Sequence, residues 1–232
     1  MANILAFSPH PDDVELVIGG LIKKMSKKHK VIVVCLTSGE GSCNDTGERI
    51  IELKKACEQL SVSEHVLLDF PDLRICRESF EQRESITKLI RHYKPQIIFS
   101  PHFSDLNPDH IESYWLLKYC RYFAGINLDF ELGNPYYCKY MYFYKQNIAK
   151  EYNSFNVDVT DVYTNKLNAI YCYESQFGKN IKSSYLKNIL LESIISKDRY
   201  NGSIFGVKYA EEIIFEGKLM INDLFDTINA NY

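Results

Sequence analysis

His10, Asp12 and Asp13 stand together in LAFSPHPDDVELVIGG, residues 5–20, between an apolar run and a glycine pair. His10 and Asp13 are three residues apart, a spacing that can bring an imidazole and a carboxylate onto one ion at a strand-to-helix turn. A second histidine, His110, ends the motif NPDH at residues 107–110. Two neutral imidazoles and one carboxylate, with a fourth position open to water, form a common catalytic zinc set. A divalent ion would offset the buried carboxylate charge and keep both histidines unprotonated. Asp12, adjacent to a ligand, is then free to contact the water. The alternative is that His10 is a turn residue and Asp12 or Asp13 caps the next helix. Both readings stay open on residue types alone. A dinucleotide site at the glycine pair is a weak reading, because GxGxxG is absent and the acidic loop would repel a pyrophosphate.

The elements that must position these residues alternate along the chain. Residues 3–8 (NILAFS), 31–37 (VIVVCLT), 65–70 (HVLLDF) and 96–101 (QIIFSP) are short apolar runs that predict buried strands. Helical patterns lie between them at 14–28, 47–60 and 79–93. In the second of these, Ile50, Leu53, Cys57 and Leu60 make one apolar stripe. Beyond His110 the chain predicts a helix over 110–123, strands at 136–145 and 155–160, and helices at 161–175 and 181–197.

Strand–helix alternation implies a mostly parallel sheet with right-handed crossovers. The expected fold is therefore α/β, a Rossmann-like three-layer sandwich with added C-terminal strands and helices. No Pro/Gly/Ser linker or repeat divides the chain, so one domain is expected over residues 1–232. Ligands bind beyond the carboxyl ends of the strands in such sheets. The loops at 9–13, 37–48, 70–75 and 100–110 all fall there and converge on one rim.

Composition narrows the class. Of 232 residues 46% are hydrophobic and 25% charged, as in ordinary soluble domains. The net charge of −3 gives no footprint for nucleic acid or an acidic membrane. No stretch approaches the roughly 18 apolar residues of a membrane span, and MANILAFS has no signal-peptide features. The seven cysteines include no CxxC pair, which points to reduced thiols and a cytoplasmic location. Cys35 and Cys57 read as core. The tyrosine-rich stretch 136–144 is either ordinary core or a surface for a homo-oligomer.

SPHPDDVELVIGG, RIIE at 49–52 and PDH at 108–110 resemble the PIG-L/LmbE-like zinc-dependent N-deacetylases. YKPQIIFSP (93–101), YESQF (173–177) and FGVKYAEEI (205–213) resemble the branch that deacetylates N-acetylglucosaminyl-malate in bacillithiol synthesis. The resemblance implies that His10, Asp13 and His110 hold zinc; affinity order and geometry also permit iron(II). It implies that Asp12 is the general base, and that Arg49, Glu40 and Asp72 contact an amino-sugar substrate. Glu15 reads as a partner behind the metal ligands or, preferably, a first-turn helix acid. The family's distal motif reads HPDH, often after arginine, where this chain has Leu106 and Asn107. Asparagine can donate to an oxyanion but carries no proton, and His102 in the same loop is either a substitute or, preferably, a loop histidine with no role. The leading expectation is an enzyme that removes an N-acetyl group from an amino sugar. A deacetylase of another amino sugar, in surface-glycan or antibiotic synthesis, and a non-catalytic sugar-binding protein are the alternatives.

Overall fold

The computed structural model describes residues 1–42, 46–127, 130–146, 152–177 and 184–218. Five parallel strands form the frame: β1 (Asn3–Ser8), β2 (Lys30–Thr37), β3 (Glu64–Phe70), β4 (Ile97–Pro101) and β5 (Tyr140–Tyr144). Two further strands, β6 (Ser154–Asp158) and β7 (Ala210–Ile214), extend it, with β7 antiparallel to both β5 and β6. The order across the sheet is β3-β2-β1-β4-β5-β7-β6.

Side chains alternate between two cores, so the central strands must be apolar on both faces. Ile4 and Ala6 of β1 face one core, Leu5 and Phe7 the other. The first core is covered by α1 (Asp13–Ser26), α2 (Thr46–Gln59), α5 (Tyr163–Tyr171), α6 (Glu174–Phe177) and α7 (Ser184–Ile204). The second is covered by α3 (Phe80–Tyr93) and α4 (Pro108–Gly125). This is the three-layer α/β sandwich expected from the alternation. Leu53, Cys57 and Leu60 of the α2 stripe are buried, as is Cys35. The six cysteines among the described residues are all free.

The C-terminal half departs from expectation in four places. The strand β7 sits in a segment whose glutamates hide its apolar run. Glu211 is buried in an ion pair with Lys166. The expected helix 161–175 divides into α5 and α6 at Tyr173, whose ring is wholly buried. There the Ser175 N–H and hydroxyl donate to Glu52 at 2.7 and 2.6 Å. Helix α7 runs on to Ile204, and the expected start at 181–183 lies outside the described residues. The 136–145 strand shortens to β5, where Met141 and Phe143 are buried and Tyr140 is exposed. Among the described residues no helix is long and apolar enough to cross a membrane.

The glycine pair has a packing role. Helix α1 breaks at Ile18 (φ −124°, ψ 20°), which frees backbone groups on both sides. Glu211 accepts from the N–H groups of Gly20 and Leu21 at 2.8 and 2.7 Å, and Lys166 Nζ donates to the Val17 carbonyl at 3.2 Å. Lys166 also pairs with Asp198 at 2.7 Å and Glu211 at 2.8 Å. A Cβ on Gly20 would lie 2.7 Å from the Val159 side chain, so only glycine allows this approach. The break lets the first turns of α1, which carry Asp13, be fixed by the C-terminal elements.

Candidate active site

The sheet order reverses between β1 and β4, the topological switch point where α/β sheets open a crevice. His10 follows β1 and His110 follows β4, which is why residues a hundred positions apart meet. Their ring centroids are 5.4 Å apart. The turn after β1 is held from below: Ser8 Oγ donates to the His10 carbonyl at 2.6 Å. Thr37 donates its N–H and hydroxyl to the Pro9 carbonyl at 3.0 and 2.9 Å.

Asp13 Oδ2 lies 3.3 Å from His10 Nδ1 and 3.2 Å from His110 Nε2. These three residues offer ligand atoms within 4.8 Å of one another. A second group, His10 with Asp72 and Asp109, satisfies the same limit. Its carboxylates are already engaged. Asp109 accepts from the Leu73 and Ile75 N–H groups, and Asp72 accepts from Gly41 N–H at 2.8 Å. Both face His10 Nε2, at 3.0 Å for Asp72 and 3.2 Å for Asp109. They therefore suit the role of outer partners that orient a ligating imidazole. Asp105 faces His110 Nδ1 at 3.2 Å, and Gln146 donates to Asp13 Oδ1 at 2.6 Å. Each of the three inner residues thus has an outer polar partner. Two nitrogens and one carboxylate, buried among further aspartates, fit a divalent cation.

Asp12 takes the N-cap position of α1 but makes no capping bond. Its backbone lies at φ +109°, a conformation that L residues rarely adopt. The side chain turns instead to Arg49, which donates from Nη2 to Asp12 Oδ2 at 3.0 Å and to the Pro11 carbonyl at 2.7 Å. Arg49 is only 2% exposed, a buried residue and not a surface helix start. Gly39, at φ +68°, lets the guanidinium approach: a Cβ there would lie 3.1 Å from Arg49 Cζ.

A cavity of about 250 Å³ opens above these groups. His10, Asp12, Asp13, Arg49, Asp72, Asn107 and His110 contribute to its lining. Glu40 does not line it; its carboxylate accepts from Ser38 Oγ and Asp72 N–H, each at 2.8 Å. Asn107 caps α4, its Oδ1 accepting from Asp109 N–H at 2.9 Å. His102 sits among the rings of Phe103, Tyr114, Phe143 and Tyr152, with Nδ1 2.8 Å from Ser104 Oγ. Burial drives its pKa down to about 4, so it is a neutral packing residue and no substitute for a site histidine. Glu15 stands in the first turn of α1, as expected from its position. It is wholly buried, because α1 is covered on every side here, and burial pushes its pKa up to about 8. Sequence reasoning missed Asp105, Asp109 and Gln146. The first two precede His110, Asp105 in the loop after β4 and Asp109 in the first turn of α4; Gln146, two residues past β5, carries no local signal.

Burial alone would lower the pKa of both histidines. For His10 the hydrogen bonds with Asp109, Asp13 and Asp72 reverse this and raise it to about 12; for His110, Asp13 and Asp105 raise it to about 9. Both values exceed the unfolded one, near 6.5. The stability these histidines contribute without metal is therefore complete below that value and lost as pH rises through the folded ones. Metal-free protein is expected to lose melting temperature from about pH 7 upward, the His110 contribution being exhausted near pH 9 and that of His10 only near pH 12. Zinc-loaded protein, which needs both imidazoles neutral, should not show that decline. Melting curves of chelated and zinc-loaded samples test this; parallel pH dependence would contradict it.

An α/β sandwich with a two-histidine, one-aspartate cluster at its switch point defines the class. The PIG-L family model, described as GlcNAc-PI de-N-acetylase, matches residues 5–118. The diacetylchitobiose deacetylase of Thermococcus kodakarensis is 31% identical over 92% of this chain and 82% of its own length. The chain belongs to the PIG-L family of deacetylases. A conserved protein of Thermus thermophilus superposes with a TM-score of 0.86 at 27% identity, covering 97% of this chain and 99% of that one. The N,N'-diacetylchitobiose deacetylase of Pyrococcus horikoshii, solved with its inhibitor, gives a TM-score of 0.78 at 27% identity, covering 91% and 82%.

Proposed function

We propose that this chain is a metal-dependent hydrolase that removes the acetyl group from an N-acetylated amino sugar. The observation that carries the reading is the convergence of His10, Asp13 and His110 at one cavity floor with Asp12 alongside, fixed by a buried arginine. Its relatives from Thermococcus and Pyrococcus, both diacetylchitobiose deacetylases, support the amino-sugar class.

His10, Asp13 and His110 would hold the ion, zinc or iron(II). When bound, it supplies Lewis acidity, lowering the pKa of a coordinated water to about 7 and polarising the acetyl carbonyl. Asp12 takes the proton as the water oxygen attacks the carbonyl carbon. The same carboxyl group returns that proton to nitrogen as the carbon–nitrogen bond breaks, releasing acetate and the free amine. Arg49 holds Asp12 at one position through both transfers. Asn107, with Oδ1 committed to the α4 cap, retains its amide N–H groups as donors to the developing oxyanion.

Zinc-loaded protein should release acetate from N-acetylglucosamine derivatives, with N-acetylglucosaminyl-malate included as the candidate from bacillithiol synthesis. Release of acetate by mass balance with free amine supports the proposal. Binding of zinc and sugar with no acetate from any derivative would leave a non-catalytic sugar-binding protein in its place.

A further inference from the structure

Leu73 stands at the cavity in a conformation and an environment that both disfavour leucine. It follows β3 in the loop leading to α3, its backbone at φ +60°, in the left-handed region. Its side chain is 69% exposed and lines the cavity. Asparagine or glycine would take this backbone shape with less strain, and a polar side chain would suit the exposure. The site itself fixes the residue: Leu73 N–H donates to Asp109 Oδ2 at 2.8 Å and to Asp72 Oδ1 at 3.0 Å. Those are the carboxylates that face His10. Strained residues persist where the surroundings over-determine them, and they cluster at ligand clamps.

Two other properties of the cavity agree. Leu16, Phe177 and Leu190 give it apolar lining from α1, α6 and α7. Leu106, next to Asn107, is 82% exposed on the neighbouring loop. Among the described lining residues Arg49 is the one permanent cation, and its guanidinium is committed to Pro11 and Asp12. Asp12, Asp13 and Asp72 line the same space, so away from the proposed metal position an anionic group beside the sugar meets carboxylates among the described lining residues.

We propose that the cavity takes a neutral, apolar aglycone, so that the substrate is an N-acetyl amino sugar bearing an alkyl or aryl group, with Leu73 as the specificity-determining contact. This rests on the deacetylase reading of the same site.

The test compares acetate release by zinc-loaded protein from N-acetylglucosamine, its hexyl and phenyl β-glycosides, and N-acetylglucosaminyl-malate. The apolar glycosides should exceed the free sugar in kcat/KM by about 10-fold or more, through KM. The malate conjugate should fall below them. In Leu73→Asn, which keeps the left-handed turn, the ratio of phenyl glycoside to free sugar should move toward one, again through KM. A melting curve establishes that the variant is folded. A malate conjugate turned over as well as the apolar glycosides, or a ratio unchanged in Leu73→Asn, would overturn this inference and leave the deacetylase reading standing. No acetate from any of the four compounds would overturn that reading and this one with it.

Discussion

Asp12→Asn is expected to lower kcat by about 10²–10⁴-fold, the range removed with a general acid–base group, while zinc binding persists. The substitution is chosen on structural grounds. Asn accepts the left-handed backbone at φ +109° more readily than other residues. Its side-chain carbonyl can also still accept from Arg49, which donates to Asp12 Oδ2 at 3.0 Å. What it loses is the ability to take a proton. Asp12→Ala should lose as much activity and melt lower, because it leaves the Arg49 guanidinium buried beside a missing carboxylate. Steady-state acetate release together with zinc content separates the cases. Near-normal kcat in a zinc-loaded Asp12→Asn protein would remove Asp12 from the chemistry.

His110→Ala should abolish both metal retention and turnover. It leaves only His10 and Asp13 of the inner cluster, one ligand short of the three that catalytic zinc sites use. The neighbouring Asp105→Asn variant tests the same idea one step further out. Asp105 faces His110 Nδ1 at 3.2 Å, so its loss should weaken metal affinity by about 10–100-fold without destroying the site. Activity of Asp105→Asn should then return as zinc is raised, whereas that of His110→Ala should not. Metal analysis after exhaustive dialysis, followed by a zinc titration of activity, distinguishes them. A dialysed His110→Ala protein with full metal content would contradict the assignment.

Much of the frame was legible because buried parallel strands leave continuous apolar runs. The first strand at 3–8 coincides with β1, and the other early strands agree to within a residue at each end. The later elements were harder because charge enters the core there. Glu211, Lys166 and Asp198 satisfy one another, so β7 shows no uninterrupted apolar signature. Glu15 illustrates the same limit: its place in the first helical turn is legible, but its complete burial follows from tertiary packing alone. In the site, His10, Asp13 and His110 were visible from spacing and loop placement, since topology alone brings the ends of β1 and β4 together. The tethers were not. Arg49 reaches Asp12 across a close approach that only Gly39 permits, and Gln146 reaches Asp13 from the end of β5. Neither contact leaves a periodic or spaced trace in the chain.

The most direct measurement is anomalous X-ray diffraction from crystals of zinc-loaded protein, collected on either side of the zinc edge. A single strong peak is expected about 2.0–2.2 Å from a nitrogen of His10, a nitrogen of His110 and a carboxylate oxygen of Asp13. No peak, or a peak held by Asp72 and Asp109 and remote from His110, would contradict the proposed centre.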